Sequence, residues 1–89
     1  MEPSAAQTLA LQALGWAAAD GDVLNKFLEQ SGLMLATLRE RAADPELLAA
    51  FLDFLLSDDK AMAQFCASEA TPPELVHAAR RALPGAIFD

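Results

Sequence analysis

Apolar residues recur along the chain at spacings of three and four, which is the period of amphipathic helices. The pattern predicts a first helix that begins at Ser4, because Ser4 and Gln7 have the spacing of a capping box. The small or polar positions of this helix form one narrow stripe, which we expect to face solvent: Thr8, Gln12, Gly15 and Ala19. The remaining positions are apolar over a wide arc and predict a buried face.

Capping residues mark the starts of most of the later helices. Asp20 and Asp58 each precede a new amphipathic segment, and the pair Asp44–Pro45 combines a capping residue with proline in the first turn. Thr71 and Glu74 have the spacing of a second capping box, at the start of a sixth helix. Gly32 is placed to end helix 2 in the left-handed conformation.

Helices 3, 4 and 6 are predicted from their apolar faces. Helix 3 is short and centred on Leu38 and Ala42, and Met34 and Leu35 stand where a capping residue is expected. Helix 4 is apolar around most of its circumference and is therefore predicted to be central and buried. Its small or polar stripe comprises Glu46, Ala49, Ala50, Asp53 and Ser57. The inner face predicted for helix 6 comprises Leu75, Val76, Ala79 and Leu83.

A shift of 38 residues superimposes the two halves of the sequence. Capping residues and apolar positions then coincide, for example Asp20 with Asp58 and Phe27 with Phe65; with one residue deleted, Leu38 meets Leu75. We interpret residues 1–43 and 44–83 as two similar three-helix halves of one domain, followed by an apolar tail at 84–89. The alternative is that any two amphipathic helical segments align in this way.

The composition supports an all-α fold. The 89 residues include 20 alanines and 15 leucines but only two valines, one isoleucine and no tyrosine, which disfavours strands. A hydrophobic content of 54% excludes a disordered chain, and the net charge of −7 argues against nucleic-acid binding. One cysteine and one histidine exclude a disulfide framework and a self-sufficient structural metal site. The sequence therefore predicts a compact single domain of six helices.

Several short motifs recur in one known family. They are Ala13-Leu14-Gly15-Trp16, Phe27-Leu28, Ser31-Gly32, Asp44-Pro45, Leu52-Asp53-Phe54-Leu55, Phe65 and Leu83-Pro84-Gly85. In their order and spacing the chain resembles a small bacterial family known as domain of unknown function 3572. The chain departs from that family at Met34-Leu35, where the family tends to have Asp-Pro or a similar cap. The resemblance implies an all-helical domain and implies no activity.

Few residues offer catalytic or metal-binding chemistry. Cys66 has apolar neighbours that raise the pKa of a thiol, and Glu74 and His77 make one Glu-x-x-His pair without a second histidine. Asp53 is a general base, a partner for an arginine (39, 41 or 80), or part of an exposed stripe. We therefore expect no enzyme activity, no cofactor and no metal. The five acids between residues 44 and 59 are a solvated face, a docking surface for a basic partner, or a mimic of nucleic-acid charge.

The pattern favours a non-enzymatic protein-protein interaction or adaptor module with an unidentified protein partner. Its candidate interaction surface comprises Trp16, Met34, Leu35, Ile87 and Phe88, and a homodimer would cover the same residues. The alternative is a protein that binds a small apolar ligand in a cavity between the helical halves. No segment has the length and apolarity of a membrane span, and an unpaired Cys66 predicts a cytoplasmic location.

Overall fold

The computed structural model describes residues 1–84, and this part of the chain forms six helices and no strand. The helices are α1 (Pro3–Ala19), α2 (Gly21–Ser31), α3 (Leu35–Glu40), α4 (Pro45–Ser57), α5 (Asp59–Ser68) and α6 (Pro73–Ala82). The predicted all-α fold with six helices is confirmed. The predicted interaction residues Ile87 and Phe88 lie outside the described residues.

Aspartate caps at three helix starts are confirmed. The side chain of Asp20 accepts a hydrogen bond from the backbone N–H of Asp22, and Asp44 accepts one from Glu46. Asp58 accepts one from Ala61 at the start of α5. Each bond satisfies a backbone N–H that has no partner within its helix, so these three signals in the sequence act locally, as expected.

The first helix begins earlier than predicted. It starts at Pro3, with Glu2 as the N-cap residue and no side-chain capping bond, so the capping box of Ser4 and Gln7 is wrong. Proline in the first turn needs no hydrogen-bond partner for its nitrogen and has a helical φ, which allows the earlier start. Ser4 is instead inside the helix, where its carbonyl accepts a bond from the hydroxyl of Thr8.

The start of α6 also differs from its prediction. Its N-cap is Pro72, and no side chain caps it, so the capping box of Thr71 and Glu74 is wrong. The hydroxyl of Thr71 donates to the carbonyl of Glu69 instead. Leu75 is 42% exposed rather than on the inner face, whereas its predicted counterpart Leu38 is buried. The inner face of α6 is completed by Arg80, which is 8% exposed.

The core is built mainly on α4 and α1. The prediction that α4 is central and buried is confirmed, and even Ala49, assigned to its small or polar stripe, is 2% exposed. The buried face of α1 carries four alanines with no exposed surface: Ala6, Ala10, Ala13 and Ala17. Small side chains let neighbouring helices approach closely, and α1 packs against α2, α4 and α6.

Three aromatic contacts join the halves of the chain; in one of them the ring centroids of Phe27 on α2 and Phe51 on α4 are 5.1 Å apart, and the other two are related by the 38-residue shift. The ring centroids of Phe27 on α2 and Phe54 on α4 are 5.6 Å apart, and those of Phe65 on α5 and Trp16 on α1 are 5.5 Å apart. Of these last two pairs, the shift converts the first into the second. In these two pairs, the second helix of one half (α2 or α5) packs against the first helix of the other half (α4 or α1). The duplication itself stays a prediction.

Candidate functional site

An apolar groove of about 440 Å³ lies between α1 and α3. Leu14, 7% exposed, and Leu38, 4% exposed, are its most buried lining residues, and its exposed large apolar residues are Leu11 and Leu35, each 42% exposed. The complete lining comprises Leu11, Leu14, Gly15, Ala18, Leu24, Leu35, Leu38, Arg39 and Ala42. Eight of these nine side chains are uncharged, so water in the groove finds few hydrogen-bonding partners.

The groove follows from small residues on α1 and from the shortness of α3. Gly15 and Ala18 leave space on the wall formed by α1. Helix α3 has six residues, of which only Leu38 is buried. The prediction that the helix is centred on Leu38 and Ala42 is wrong in part, because Ala42 lies beyond its end. The side chain of Leu38 alone does not fill the space between α3 and the longer α1.

In the described part of the chain, Arg39 is the only charged residue that lines the groove. Within residues 1–84 it forms no salt bridge, whereas Lys26 pairs with Asp58, Arg41 with Asp44, and Arg80 with Asp53. The guanidinium of Arg39 is exposed and offers planar N–H donors beside an otherwise apolar lining. The surface of the groove is therefore apolar, with one positive charge at Arg39.

The structure brings some of the predicted interaction residues to this groove and not others. Leu35 lines it, and Met34, which immediately precedes Leu35, is 72% exposed. Trp16 is not part of the lining; it is partly buried and packs with the edge of its ring system against Phe65. Ile87 and Phe88 are not among the described residues.

Of the nine lining residues, sequence reasoning placed only Leu35 in the interaction surface and missed the other eight, among them Leu11, Gly15, Ala18 and Arg39. Leu11 lies three residues after Thr8 and four before Gly15 of the solvent-exposed stripe of α1, and this spacing was a usable signal that its side chain lies near solvent. The stripe itself is confirmed, since all four of its residues are exposed. Arg39 gave no local signal because its position depends on how α3 packs.

Two other depressions lie between the predicted halves. One, of about 260 Å³ between α2 and α5, is lined by four charged residues, Asp20, Asp22, Lys26 and Lys60, with Val23, Ala61 and Gln64. The other, also about 260 Å³, lies between α2 and α4 and mixes Phe27, Ala50 and Phe54 with Gln30, Ser31, Asp53 and Ser57. Neither has the apolar lining that a ligand site between the halves would need.

The residues considered for chemistry lie in separate environments. Asp53 binds Arg80, with Nε to Oδ1 at 2.6 Å and Nη2 to Oδ2 at 3.0 Å, and it is also exposed on the stripe of α4 with Glu46 and Ser57. Two of the interpretations left open, the arginine partner and the exposed stripe, are therefore both observed. Burial raises the pKa of the Cys66 thiol, and the charge of Glu74 raises it further. His77 is exposed on α6. Within residues 1–84 no three His, Cys, Asp or Glu side chains come together as a metal site.

Most of the acidic segment between residues 44 and 59 has structural partners. Hydrogen bonds from Arg41 and from the backbone N–H of Glu46 lower the pKa of Asp44. The N–H of Ala61 and the ammonium of Lys26 lower the pKa of Asp58. Three of the five acids are thus in ion pairs, since Asp53 binds an arginine, and the segment is not a continuous free acidic surface.

Comparison with known proteins identifies one family. The model of the family described as "Protein of unknown function (DUF3572)" matches residues 3–86. No curated protein and no solved structure matches the chain. None of the helices within residues 1–84 is long and apolar enough to cross a membrane.

Proposed function

Because the chain belongs to the DUF3572 family of proteins of unknown function, we propose a role from its own surface: a non-enzymatic protein-protein interaction module. The groove between α1 and α3 is the binding site in this proposal. The observation that carries it is the concentration of exposed large apolar side chains at this groove. Of the five such residues in the described chain, Leu11 and Leu35 line the groove, and Met34 directly precedes Leu35 in the sequence.

Exposed apolar residues of this kind provide binding energy. Full withdrawal of a leucine or methionine side chain from water contributes about 1.5–3 kcal/mol, so the exposed portions of these three contribute about 3 kcal/mol together. This is comparable with the contribution of a single hot-spot residue in an interface. The remaining free energy would come from the buried groove walls and the partner's own contacts.

The surroundings of the reactive groups support a non-enzymatic role. The Asp53 carboxylate is engaged by Arg80, and the raised pKa of Cys66 disfavours the nucleophilic thiolate. The free thiol of Cys66 also supports a cytoplasmic location, which is part of the proposal.

The sharpest test of the groove is a matched pair of exposed leucines. Leu35 and Leu75 have the same exposed fraction, 42%, but only Leu35 lines the groove. Wild type, Leu35→Asp and Leu75→Asp proteins would be used as baits in a native cell extract, after circular dichroism has shown that all three are folded. We expect a partner that binds the wild type and Leu75→Asp proteins and is lost with Leu35→Asp. Partners retained equally by both variants would refute the groove as the site.

The two other predicted modes of binding remain open to separate tests. For the small apolar ligand between the halves, the polar linings described above give no support. For the homodimer, small-angle scattering is decisive: the chain has a radius of gyration of 11.8 Å, and a compact dimer is expected at about 16 Å.

A further inference from the structure

We infer that the groove binds an amphipathic helix of another protein, which places a carboxylate against Arg39. This inference rests on the proposed function, because it names the partner segment of the same groove. Three properties of the groove carry it: its length along α1, the hydrogen-bonded backbone of its α1 wall, and the charge of Arg39, which forms no salt bridge within residues 1–84.

The length of the groove matches the spacing of contacts on a helix. Along α1 the lining runs from Leu11 to Ala18, a separation of seven residues or about 10 Å at 1.5 Å per residue. Apolar side chains at positions i, i+3 or i+4, and i+7 of a bound helix cover the same distance. Two turns of an amphipathic helix therefore place three apolar side chains along the groove.

The walls of the groove favour a helix over an extended peptide. From Leu11 to Gly15 the backbone groups of α1 are hydrogen-bonded within the helix, and among residues 1–84 Arg39 is the only lining side chain with polar groups. An extended peptide would leave its own N–H and C=O groups unpaired against this lining, at a cost in free energy. A helix satisfies its backbone internally and avoids that cost.

The open form of the groove favours a macromolecule over a small ligand. Small-molecule sites enclose most of the surface of their ligands. Here Leu11 and Leu35 are each 42% exposed, so an occupant keeps one face in solvent. An amphipathic helix has a polar face that suits this position.

The charge of the groove specifies one residue of the partner. Arg39 lies in the lining and forms no salt bridge within residues 1–84. A glutamate or aspartate at the edge of the apolar face of the bound helix would pair with it, and guanidinium and carboxylate groups match in a two-bond geometry. A lysine or arginine at that position would be repelled.

Selection from a display library of random peptides of about 16 residues, a length that can form a stable helix, tests this inference. The full-length wild-type protein is the target. We expect enriched peptides with apolar residues at i, i+3 or i+4, and i+7 and an acidic residue at the edge of that face. Proline between the apolar positions should abolish binding, because it breaks a helix.

Variants of the protein then locate the contacts. We expect Leu35→Asp to weaken the selected peptides about a hundredfold, because it places a charge in the apolar interface, and Leu75→Asp to leave them unchanged. Arg39→Glu should weaken peptides with the acidic residue by about fivefold or more and should shift a new selection toward basic residues. Arg81→Glu is the matched control, since Arg81 is exposed on α6 and outside the groove.

The outcomes separate this inference from the proposed function. Peptides that depend on Leu35 but show no acidic preference, or tolerate proline, would overturn the helix and its carboxylate and leave the groove as a binding site. A dimer of the wild-type protein that Leu35→Asp dissociates would identify a second copy as the occupant and would also overturn it. Enriched peptides that bind the Leu35→Asp protein as well as the wild type would count against both the helix inference and the groove as the binding site.

Discussion

The ion pair of Arg80 and Asp53 offers a quantitative test of the fold. The side chain of Arg80 is 10% exposed and that of Asp53 is 51% exposed. We consider Asp53→Asn, which keeps the shape of the side chain and removes its charge. The amide oxygen of the variant still accepts one hydrogen bond from Arg80, but the buried guanidinium loses its counter-charge and its second carboxylate bond, and the carbonyl oxygen of Pro84, 3.5 Å from Nη1, is a weak replacement.

The expected loss follows from the burial of the two partners. A hydrogen bond to a charged group contributes about 1.5–3 kcal/mol when buried, whereas an exposed ion pair contributes about 0.2–1 kcal/mol. Because the arginine is buried and the carboxylate is half exposed, we expect Asp53→Asn to reduce the free energy of unfolding by about 1–2 kcal/mol. For a domain of this size that is a decrease of about 4–16 °C in Tm.

Urea denaturation followed by circular dichroism measures this loss, with Glu29→Gln as the control. Glu29 is exposed on α2 and forms no salt bridge within residues 1–84, so its change should stay within about 0.5 kcal/mol. In an Arg80→Met background, Asp53→Asn should be nearly neutral, because the buried charge is gone. An equal cost of Asp53→Asn in both backgrounds would refute the argument that it leaves a buried cation unpaired.

Three further predictions concern caps, core and pH. Asp58→Ala should reduce the free energy of unfolding by about 1–2 kcal/mol, because Asp58 caps α5 and binds Lys26. Thr71→Ala should reduce it by less than about 0.5 kcal/mol, because Thr71 caps no helix; chemical denaturation measures both values. Phe27→Ala and Phe65→Ala should each cost about 3–5 kcal/mol within one cooperative calorimetric transition, and two separated transitions in the wild type would contradict the shared core. In the folded protein the pKa of Asp58 is lower than its ordinary value of 3.8. The ionised Asp58 carboxylate therefore stabilises the fold at a pH above 3.8, and this stabilisation is lost as the pH falls through the pKa of the folded state. Asp58→Asn should therefore lose less stability than the wild type between about pH 5 and pH 2, and an unchanged pH profile would contradict this.

The candidate site was predictable only in part. Met34 and Leu35 were predicted as exposed apolar residues because they stand where a helix usually has a polar cap, and both are exposed. Trp16 was placed with them on size and apolarity alone, and the structure instead packs it against Phe65. No local pattern could have brought Arg39 to the same groove as Leu11, since this depends on the packing of α3 beside α1.

The sequence alone determined those features that depend only on residues within one or two helical turns. The aspartate caps at residues 20, 44 and 58, the left-handed Gly32 and the apolar surface of α4 each depend on neighbours a few residues away, and the structure shows all of them. Even here the start of α6 was wrong, because Thr71 and Glu74 satisfy the spacing of a capping box without forming it.

The tertiary structure alone decided which helices touch and what lies between them. Arg80 is buried because α6 packs beside α4, where Asp53, 27 residues away in the chain, can neutralise it. The groove exists because the short α3 does not fill the space along α1. Such contacts join residues far apart in the chain, and their free energy depends on the packing of whole helices, which periodicity and capping signals do not specify.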